Sequence, residues 1–338
     1  MMLLADVLSE YPDRLWHWDR QVGVTHAVGR VPTRDNGEPS YDYKDLRAMK
    51  MRFEEFGFKL EVIEPGLNAQ MHEAKLGIDG RDQQIEFCKT LIRNMAALEI
   101  PVLCYNFMAK FNWIRTAVNT PARGGALVTS YKHDLIKDAP LTDVGMVSKE
   151  KLWDNLTYFL EQIVPVAEDA RVKLALHPDD PPVSPIRGIS RIITSAEAIK
   201  KAINLVPSEY SGITMCQGSL SAAGENIPKL IREMAGKIFF VHFRDVKGTK
   251  EDFCETFHDD GQTDMFEAIK AYREIGYNGP IRIDHVPTMY GEQNDEPGYG
   301  EIGRLFALGY LKGLIESREK IDHVAIKDNR PPSALKDY

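Results

Sequence analysis

Short runs of apolar, often β-branched residues recur along the chain, and they alternate with longer segments in which apolar residues return every three or four positions. Strands buried on both faces produce continuous apolar runs, and the amphipathic helices that cover them produce the longer spacing. Because each apolar run is followed by a helical segment or a long excursion, the pattern predicts an α/β fold, a (β/α)8 TIM barrel. The eight predicted strands are residues 2–8, 24–28, 59–65, 101–107, 173–177, 212–218, 238–244 and 281–286.

Residues that typically start helices precede several of the helical segments. Thr194 and Glu197 form a capping-box pattern before an apolar helical face, and Asp264 with Glu267 repeats the pattern. Asn226 is a further expected helix cap. These signals support helices between the strands in the second half of the chain.

Two regions lack the alternation. Residues 109–147 are weakly periodic and rich in Gly, Pro and Arg, and they follow the fourth predicted strand, where a barrel places a loop at its catalytic end. Residues 321–338 are polar and aperiodic. We therefore expect one catalytic barrel domain over residues 1–320, with the 109–147 excursion at its mouth, and a C-terminal arm over residues 321–338.

Composition narrows the class of protein. The chain carries 42 Lys and Arg against 50 Asp and Glu, a formal net charge of −8, which argues against a nucleic-acid or anionic-membrane partner because both require a basic surface. The N-terminus lacks a charged leader, and no window approaches the ~20 apolar residues of a membrane span, so a cytoplasmic protein is expected. The four cysteines are far apart and form no CxxC pair, which argues against a disulfide framework or a thiolate zinc site.

Residues with metal-binding chemistry fall at the carboxyl ends of the last four predicted strands, the end at which such barrels carry their catalytic groups. Imidazole, thiolate and carboxylate together make a mixed site suited to a divalent transition metal. Each residue alone has an ordinary explanation, such as a buried thiol or a turn residue, but those explanations do not account for the shared position. The four residues are His177, Cys216, His242 and Asp284.

Five motifs carry a resemblance to one known family. They are CYNFMAKFNWIRT (104–116), HPDDPP (177–182), CQGS (216–219), VHFRD (241–245) and IRIDH (281–285). From about residue 20 to about residue 315, the chain resembles the mannonate dehydratases, which are sugar-acid dehydratases with a xylose-isomerase-like TIM barrel. The resemblance implies Mn²⁺-dependent dehydration of D-mannonate to 2-dehydro-3-deoxy-D-gluconate in hexuronate catabolism, with Fe²⁺, Co²⁺ or Mg²⁺ as alternative metals. It also implies that the same four residues are the metal ligands.

The family's catalytic pair falls on His285 and Tyr299 by the same resemblance. These two residues are expected to divide the roles of base at carbon two and acid at the leaving hydroxyl, in either order. Adjacent Asp284 and His285 cannot both point inward from a regular strand. The strand is therefore expected to end or bulge at this point.

Five further residues are expected to bind the sugar acid. Arg244 and Arg282 each lie two residues from an expected ligand, and either is expected to hold the carboxylate, with an ordinary ion pair as the equal alternative. Asn106 and Arg115 belong to the motif at 104–116 and are expected to line the pocket. His258, in a loop rich in Gly and Asp, is expected to cap the sugar, although a solvated loop is its ordinary explanation.

Other functions stay open at this point. The enzyme could dehydrate a different hexonate, or it could be a sugar isomerase or epimerase of the same superfamily that uses Glu61 or Glu64 as a further carboxylate. A sugar-acid-binding paralogue without catalysis is the third alternative, and the retained His285 and Tyr299 argue against it. The expected partners are a small-molecule sugar acid and a second copy of the chain, since barrels of this superfamily commonly self-associate.

Overall fold

The computed structural model describes residues 2–65 and 71–327. Eight parallel strands close into a barrel in chain order, with the last strand hydrogen-bonded to the first. Each overlaps one of the eight apolar runs, so the predicted (β/α)8 barrel is confirmed. The barrel strands are β1 (Leu3–Val7), β2 (His26–Gly29), β3 (Lys59–Ile63), β4 (Val102–Asn106), β7 (Lys173–His177), β8 (Ser211–Cys216), β9 (Ile238–Phe243) and β12 (Pro280–Ile283).

Helices alternate with these strands. They are α1 (Arg14–Val22), α2 (Tyr43–Glu55), α3 (His72–Leu76), α4 (Arg81–Ala97), α5 (Lys149–Ala170), α6 (Ala196–Ile203), α7 (Gln217–Ala222), α8 (Ile227–Glu233), α9 (Met265–Glu274) and α10 (Glu301–Lys327). The caps predicted at Asn226 and Asp264 are confirmed, because each side chain accepts a backbone N–H from the first turn of its helix. The cap of α6 is Ser195 and not Thr194, since the Ser195 hydroxyl accepts the Ala198 N–H at 3.2 Å.

The core has two layers that follow from strand alternation. One face of the strands packs against the helices in a large apolar cluster, in which Trp16 of α1 stacks on Phe53 of α2 with ring centroids 4.7 Å apart. The opposite face fills the barrel interior with small and aromatic residues, among them Ala175 and Phe240. Phe240 contacts the ring of His242 edge-on at 4.8 Å, so the interior core lies directly below the polar strand ends.

The excursion at 109–147 contains two strands, β5 (Ala117–Pro121) and β6 (Leu127–Lys132). They join β10 (Val246–Thr249) and β11 (Asp252–Glu255), which follow barrel strand β9, in an antiparallel sheet of order β10-β11-β6-β5. We call these four strands the accessory sheet. The backbone of Leu127 exchanges hydrogen bonds with that of Thr288, beyond β12, so the accessory sheet lies at the carboxyl end of the barrel.

Helix α10 continues to Lys327, past residue 320, where the barrel domain was expected to end. The first part of the expected arm is therefore helical, and residues 328–338 lie outside the described residues. No helix in the described part of the chain has an apolar stretch long enough to cross a bilayer.

Candidate metal centre and active site

Three of the four expected ligands meet at the ends of adjacent strands β7, β8 and β9. Cys216 and His242 are direct partners in the parallel register, and His177 Nε2 lies 3.1 Å from His242 Nδ1. The ligand atoms of His177, Cys216 and His242 all lie within 4.8 Å of one another. We call this group the ligand trio.

Asp284 comes one residue after β12 ends, and its Oδ2 lies 3.6 Å from His242 Nδ1. Regular strand structure therefore ends before the Asp284–His285 pair, as their adjacency required. The carboxylate of Asp284 is held by two arginines, Arg282 Nη1 at 2.9 Å and Arg244 Nε at 3.0 Å. The structure thus places the other three predicted ligands around His242, with Asp284 at the edge of the trio.

A second set of donors approaches His242 from the other side. Glu64 Oε2 lies 3.6 Å from His242 Nε2, and Cys104 completes a group whose ligand atoms also lie within 4.8 Å of one another. Among the described residues, His242 Nε2 has no hydrogen-bond partner although it is buried, and Glu64 Oε2 forms an ion pair with Arg282 Nη2 at 3.1 Å. Buried polar atoms without partners are costly unless a ligand satisfies them, so this arrangement fits a cation.

The electrostatics of the trio favour anionic sulfur. Burial raises the pKa of the Cys216 thiol. The positive charges of Arg244 and His177 lower this pKa by more than burial raises it, so it lies well below its usual value. Burial likewise raises the pKa of Asp284, while His285, Arg282 and His242 hold it well below its usual value. A thiolate, a carboxylate and two imidazoles are a donor set that suits a divalent transition metal.

His285 and Tyr299 lie side by side next to this group. Their rings meet edge to face with centroids 5.4 Å apart, and Trp113 packs 4.7 Å from the His285 ring. Tyr299 reaches the site because the loop after β12 folds back, with the Val286 N–H donating to Gly298 O at 2.7 Å. Burial raises the pKa of Tyr299 above its usual value, and the charge of Asp284 adds to the rise, so the phenol is protonated at neutral pH.

One cavity at the barrel mouth connects most of these groups. Its lining includes His177, His242, Asp284, His285 and Tyr299. The side chains expected to bind a metal and those expected to act as acid and base therefore line the same cavity, as an active site requires.

Of the five residues expected to bind substrate, two line the cavity and three are not among its described lining residues. Asn106 and Arg282 line the cavity. Arg115 and Arg244 are not among the described residues that line it, and their guanidinium groups donate to buried carboxylates behind His285. His258 is fully buried beside Phe243 and is also absent from the described lining, and burial lowers its pKa to about 4.

Sequence reasoning missed three charged residues at the site. Asp180 belongs to the motif HPDDPP, but no role was expected for it. Its carboxylate accepts from Arg115 at 2.7 Å and from Arg244 at 2.6 Å. Glu255 of β11 approaches His285, and Lys75 of α3 lines the cavity. The last two come from segments outside the strand ends, where no apolar pattern pointed to them.

A closed parallel barrel with histidine, cysteine and acid–base groups at its carboxyl mouth defines the class of (β/α)8 barrel enzymes. The family model described as D-mannonate dehydratase (UxuA) matches residues 14–145 and 139–325. The mannonate dehydratase of Thermotoga maritima is 40% identical to this chain over 341 aligned positions, which cover 89% of this chain and 93% of that protein. The chain therefore belongs to the D-mannonate dehydratase family, and the predicted family is confirmed.

Solved structures agree with this assignment. The crystal structure of mannonate dehydratase from Streptococcus suis matches with a TM-score of 0.84 and 32% identity, and the match covers 99% of this chain and 97% of that one. A xylose isomerase domain protein from Planctomyces limnophilus matches with a TM-score of 0.63 at 14% identity, over 95% of this chain and 99% of that one. The second similarity concerns the fold alone, and it supports the xylose-isomerase-like barrel.

Proposed function

We propose that this protein removes water from D-mannonate to give 2-dehydro-3-deoxy-D-gluconate, a step in the breakdown of hexuronates. As a member of the D-mannonate dehydratase family, it is an enzyme, a carbon–oxygen lyase. The observation that supports the proposal at residue level is the single cavity that joins two histidines of the ligand trio to Asp284, His285 and Tyr299.

We propose Mn²⁺ as the cofactor, with Fe²⁺, Co²⁺ or Mg²⁺ as alternatives. His177, Cys216, His242 and Asp284 would hold it, since the donor set and the unpartnered buried nitrogen of His242 fit a divalent ion. When bound, such an ion supplies Lewis-acid stabilisation of negative charge on substrate oxygens. That chemistry is needed because loss of the proton beside a carboxylate creates an enediolate-like species with charge next to charge.

We propose that His285 takes the proton from carbon two. Its Nδ1 lies 3.0 Å from Glu255 Oε1, and its Nε2 lies 4.0 Å from Asp284 Oδ1, on the side of the expected ligands. Arg115 Nη2 and Arg244 Nη1 also approach Nδ1, at 3.2 and 3.1 Å. The proposed tautomer carries its proton on Nδ1, donates to Glu255 and leaves Nε2 free to accept a proton. His285 is therefore the proposed general base.

Tyr299 is the proposed general acid at carbon three. Its phenol carries a proton at neutral pH, as it would at its ordinary pKa too, and can give that proton to the leaving hydroxyl. The carbon-two proton then resides on His285, the carbon–oxygen bond at carbon three breaks, and the hydroxyl leaves as water with the phenol proton. The remaining enol becomes the 2-keto product by tautomerisation.

Turnover of purified protein tests the proposal. The protein is stripped of metal, reloaded with Mn²⁺ and incubated with D-mannonate and with its C2 and C3 epimers while the 2-keto-3-deoxy product is measured. Cys216→Ala and Tyr299→Phe run in parallel. Product from the wild type and from neither variant supports the metal-dependent dehydratase. A different hexonate as the preferred substrate would keep the reaction and change its specificity, and isomerised sugar without a keto-deoxy product would reject the reaction.

The assembly and location proposed for the protein are a homo-oligomer in the cytoplasm, without nucleic-acid or membrane partners. The expected arm, residues 321–338, is the proposed contact between copies. Gel filtration of a chain truncated after Asp322 tests it, because an unchanged oligomer size would exclude the arm from the interface.

A further inference from the structure

Two residues among the described lining of the cavity carry an amine or a guanidinium group, Lys75 and Arg282. A sugar acid brings a carboxylate, and a buried carboxylate requires a cation or several donors. The side chain that binds the substrate carboxylate is the one that lets the enzyme distinguish a sugar acid from a neutral sugar.

Arg282 is engaged by the protein itself. Its Nη1 donates to Asp284 at 2.9 Å and to Ile283 O at 2.9 Å, and its Nη2 donates to Glu64 at 3.1 Å. Two protein carboxylates therefore already match its single positive charge. Arg244 is engaged in the same way and lies outside the described lining. It donates to Asp180 and Glu255 and forms an ion pair with Asp284.

Lys75 lies on the cavity side of α3 and is 5% exposed. Its Nζ donates to the neutral amide oxygen of Asn106 at 2.8 Å. Asn106 is the register partner of His177 on the neighbouring strand, so the Lys75 amine approaches the cavity next to the ligand trio.

Contacts with the rest of the barrel hold Lys75 in this position. Its carbonyl oxygen accepts a hydrogen bond from Asn155 Nδ2 of α5 at 2.9 Å. Gly77, which ends α3 with φ +65°, lies so close to Asn155 that a Cβ there would be 2.3 Å from Oδ1. The short helix is therefore fixed against α5, and its lysine enters the cavity from a rigid base.

We propose that the Lys75 amine binds the carboxylate of the sugar-acid substrate, with Asn106 beside it, and so makes the enzyme prefer acids to neutral sugars. This inference rests on the proposed function, because it assigns a role at the same site. Burial lowers the pKa of Lys75 to about 7, and Arg191 lowers it too while Asp179 raises it. An anion bound at the amine stabilises its charged form.

The test separates the carboxylate from the rest of the sugar. Binding of D-mannonate and of its neutral alcohol counterpart, D-mannitol, is measured by calorimetry on the Mn²⁺-loaded wild type, Lys75→Met and Lys75→Arg, together with KM for D-mannonate. Lys237→Met is the matched control. Its amine is also partly buried and donates to the Ser208 and Ser211 carbonyls, at the opposite end of the barrel.

We expect Lys75→Met to weaken D-mannonate binding and raise KM by about 10- to 100-fold, the range for loss of one charge-assisted hydrogen bond. D-mannitol binding and manganese content stay unchanged, Lys75→Arg recovers part of the loss, and Lys237→Met behaves as wild type. Equal weakening of acid and alcohol, or unchanged acid binding, would overturn the assignment. If Lys75→Met has a folding defect, it loses manganese and its Tm falls. The affinity ratio of D-mannonate to D-mannitol in Lys75→Arg then decides whether Lys75 binds the carboxylate.

Failure of the proposed function gives a different result. If the wild type binds D-mannonate but forms no keto-deoxy product, the reaction is wrong while the binding ratio still reports on Lys75. If the wild type forms product and Lys75→Met has the wild-type KM and binding ratio, the dehydratase stands and the role of Lys75 is rejected.

Discussion

Glu255 Oε1 lies 3.0 Å from His285 Nδ1, and Glu255 belongs to the accessory sheet and not to the barrel. The same carboxylate accepts hydrogen bonds from Arg115 and Arg244, so it is fixed on three sides. All four side chains are 3% exposed or less. The accessory sheet therefore contributes a carboxylate that contacts His285, the residue proposed as the general base.

Glu255→Gln is expected to lower kcat by about 10- to 100-fold with little change in KM, the range seen when a group that orients a functional histidine is altered. The amide keeps the shape but removes the negative charge beside His285 Nδ1, which favours the tautomer proposed for the base. Steady-state kinetics with D-mannonate measure the split between kcat and KM. Glu251→Gln, on the exposed turn before β11, serves as the control and should match the wild type. A rise in KM with kcat intact would show that Glu255 acts on binding instead.

Cys216→Ala is expected to lose bound manganese under conditions in which Cys104→Ala retains it. The two thiols flank His242 in different donor groups, and Cys216 is the one that shares its group with His177. The pKa of Cys216 also lies well below its usual value, despite burial, because Arg244 and His177 lower it. The pKa of Cys104 lies above its usual value, because burial and the charge of Glu64 raise it. Metal content and the thiolate-to-metal absorption of the Co²⁺-loaded protein give the answer without turnover. Loss of that absorption in Cys104→Ala alone would move the site to the Glu64 side.

Much of the fold and the expected ligands could be predicted because both depend on the strands. Buried strands leave apolar runs in the sequence, and parallel strands bring their carboxyl ends together, which placed His177 and His242 at one mouth. The accessory sheet was missed because β5 is largely exposed and leaves no apolar run. Lys75 lies on a five-residue helix and Glu255 on a four-residue strand, and elements this short carry no periodicity that would tell which side chain faces the cavity.

Tyr299 could be assigned only by resemblance, because it lies in an irregular loop beyond β12 that the strand pattern does not describe. Its conversion to Phe removes one hydroxyl from a buried ring and is expected to lower kcat by about 100-fold or more, the contribution of a general acid. Tyr290→Phe, 99% exposed in the same loop, is the matched control. Single-turnover assays with D-mannonate measure the effect, and an unchanged rate would remove Tyr299 from the chemistry.

Asp19 of α1 is a buried carboxyl away from the active-site cavity. It is fully buried, and among the described residues neither of its oxygens has a hydrogen-bond partner. Its neighbour Asp6 is paired with Arg304 at 2.7 Å, so the positive charge nearby is already shared. Burial raises the pKa of Asp19 to about 9, and the charge of Asp6 adds to the rise while Arg304 opposes it.

This pKa makes Asp19→Asn a stabilising change whose size depends on pH. In the unfolded chain the carboxyl loses its proton near its usual pKa of 3.8, whereas in the folded protein it keeps the proton up to about pH 9. Between these values the folded state binds more protons, so the free energy of unfolding falls as pH rises, by up to about 1.4 kcal/mol per pH unit. Asparagine carries no such proton, and the advantage of the variant should therefore be small near pH 5 and large near pH 9. Urea unfolding of both proteins across this range measures it, with Asp154→Asn on the exposed side of α5 as the control. A constant difference between wild type and Asp19→Asn at all pH values would show that Asp19 is ionised in the folded protein.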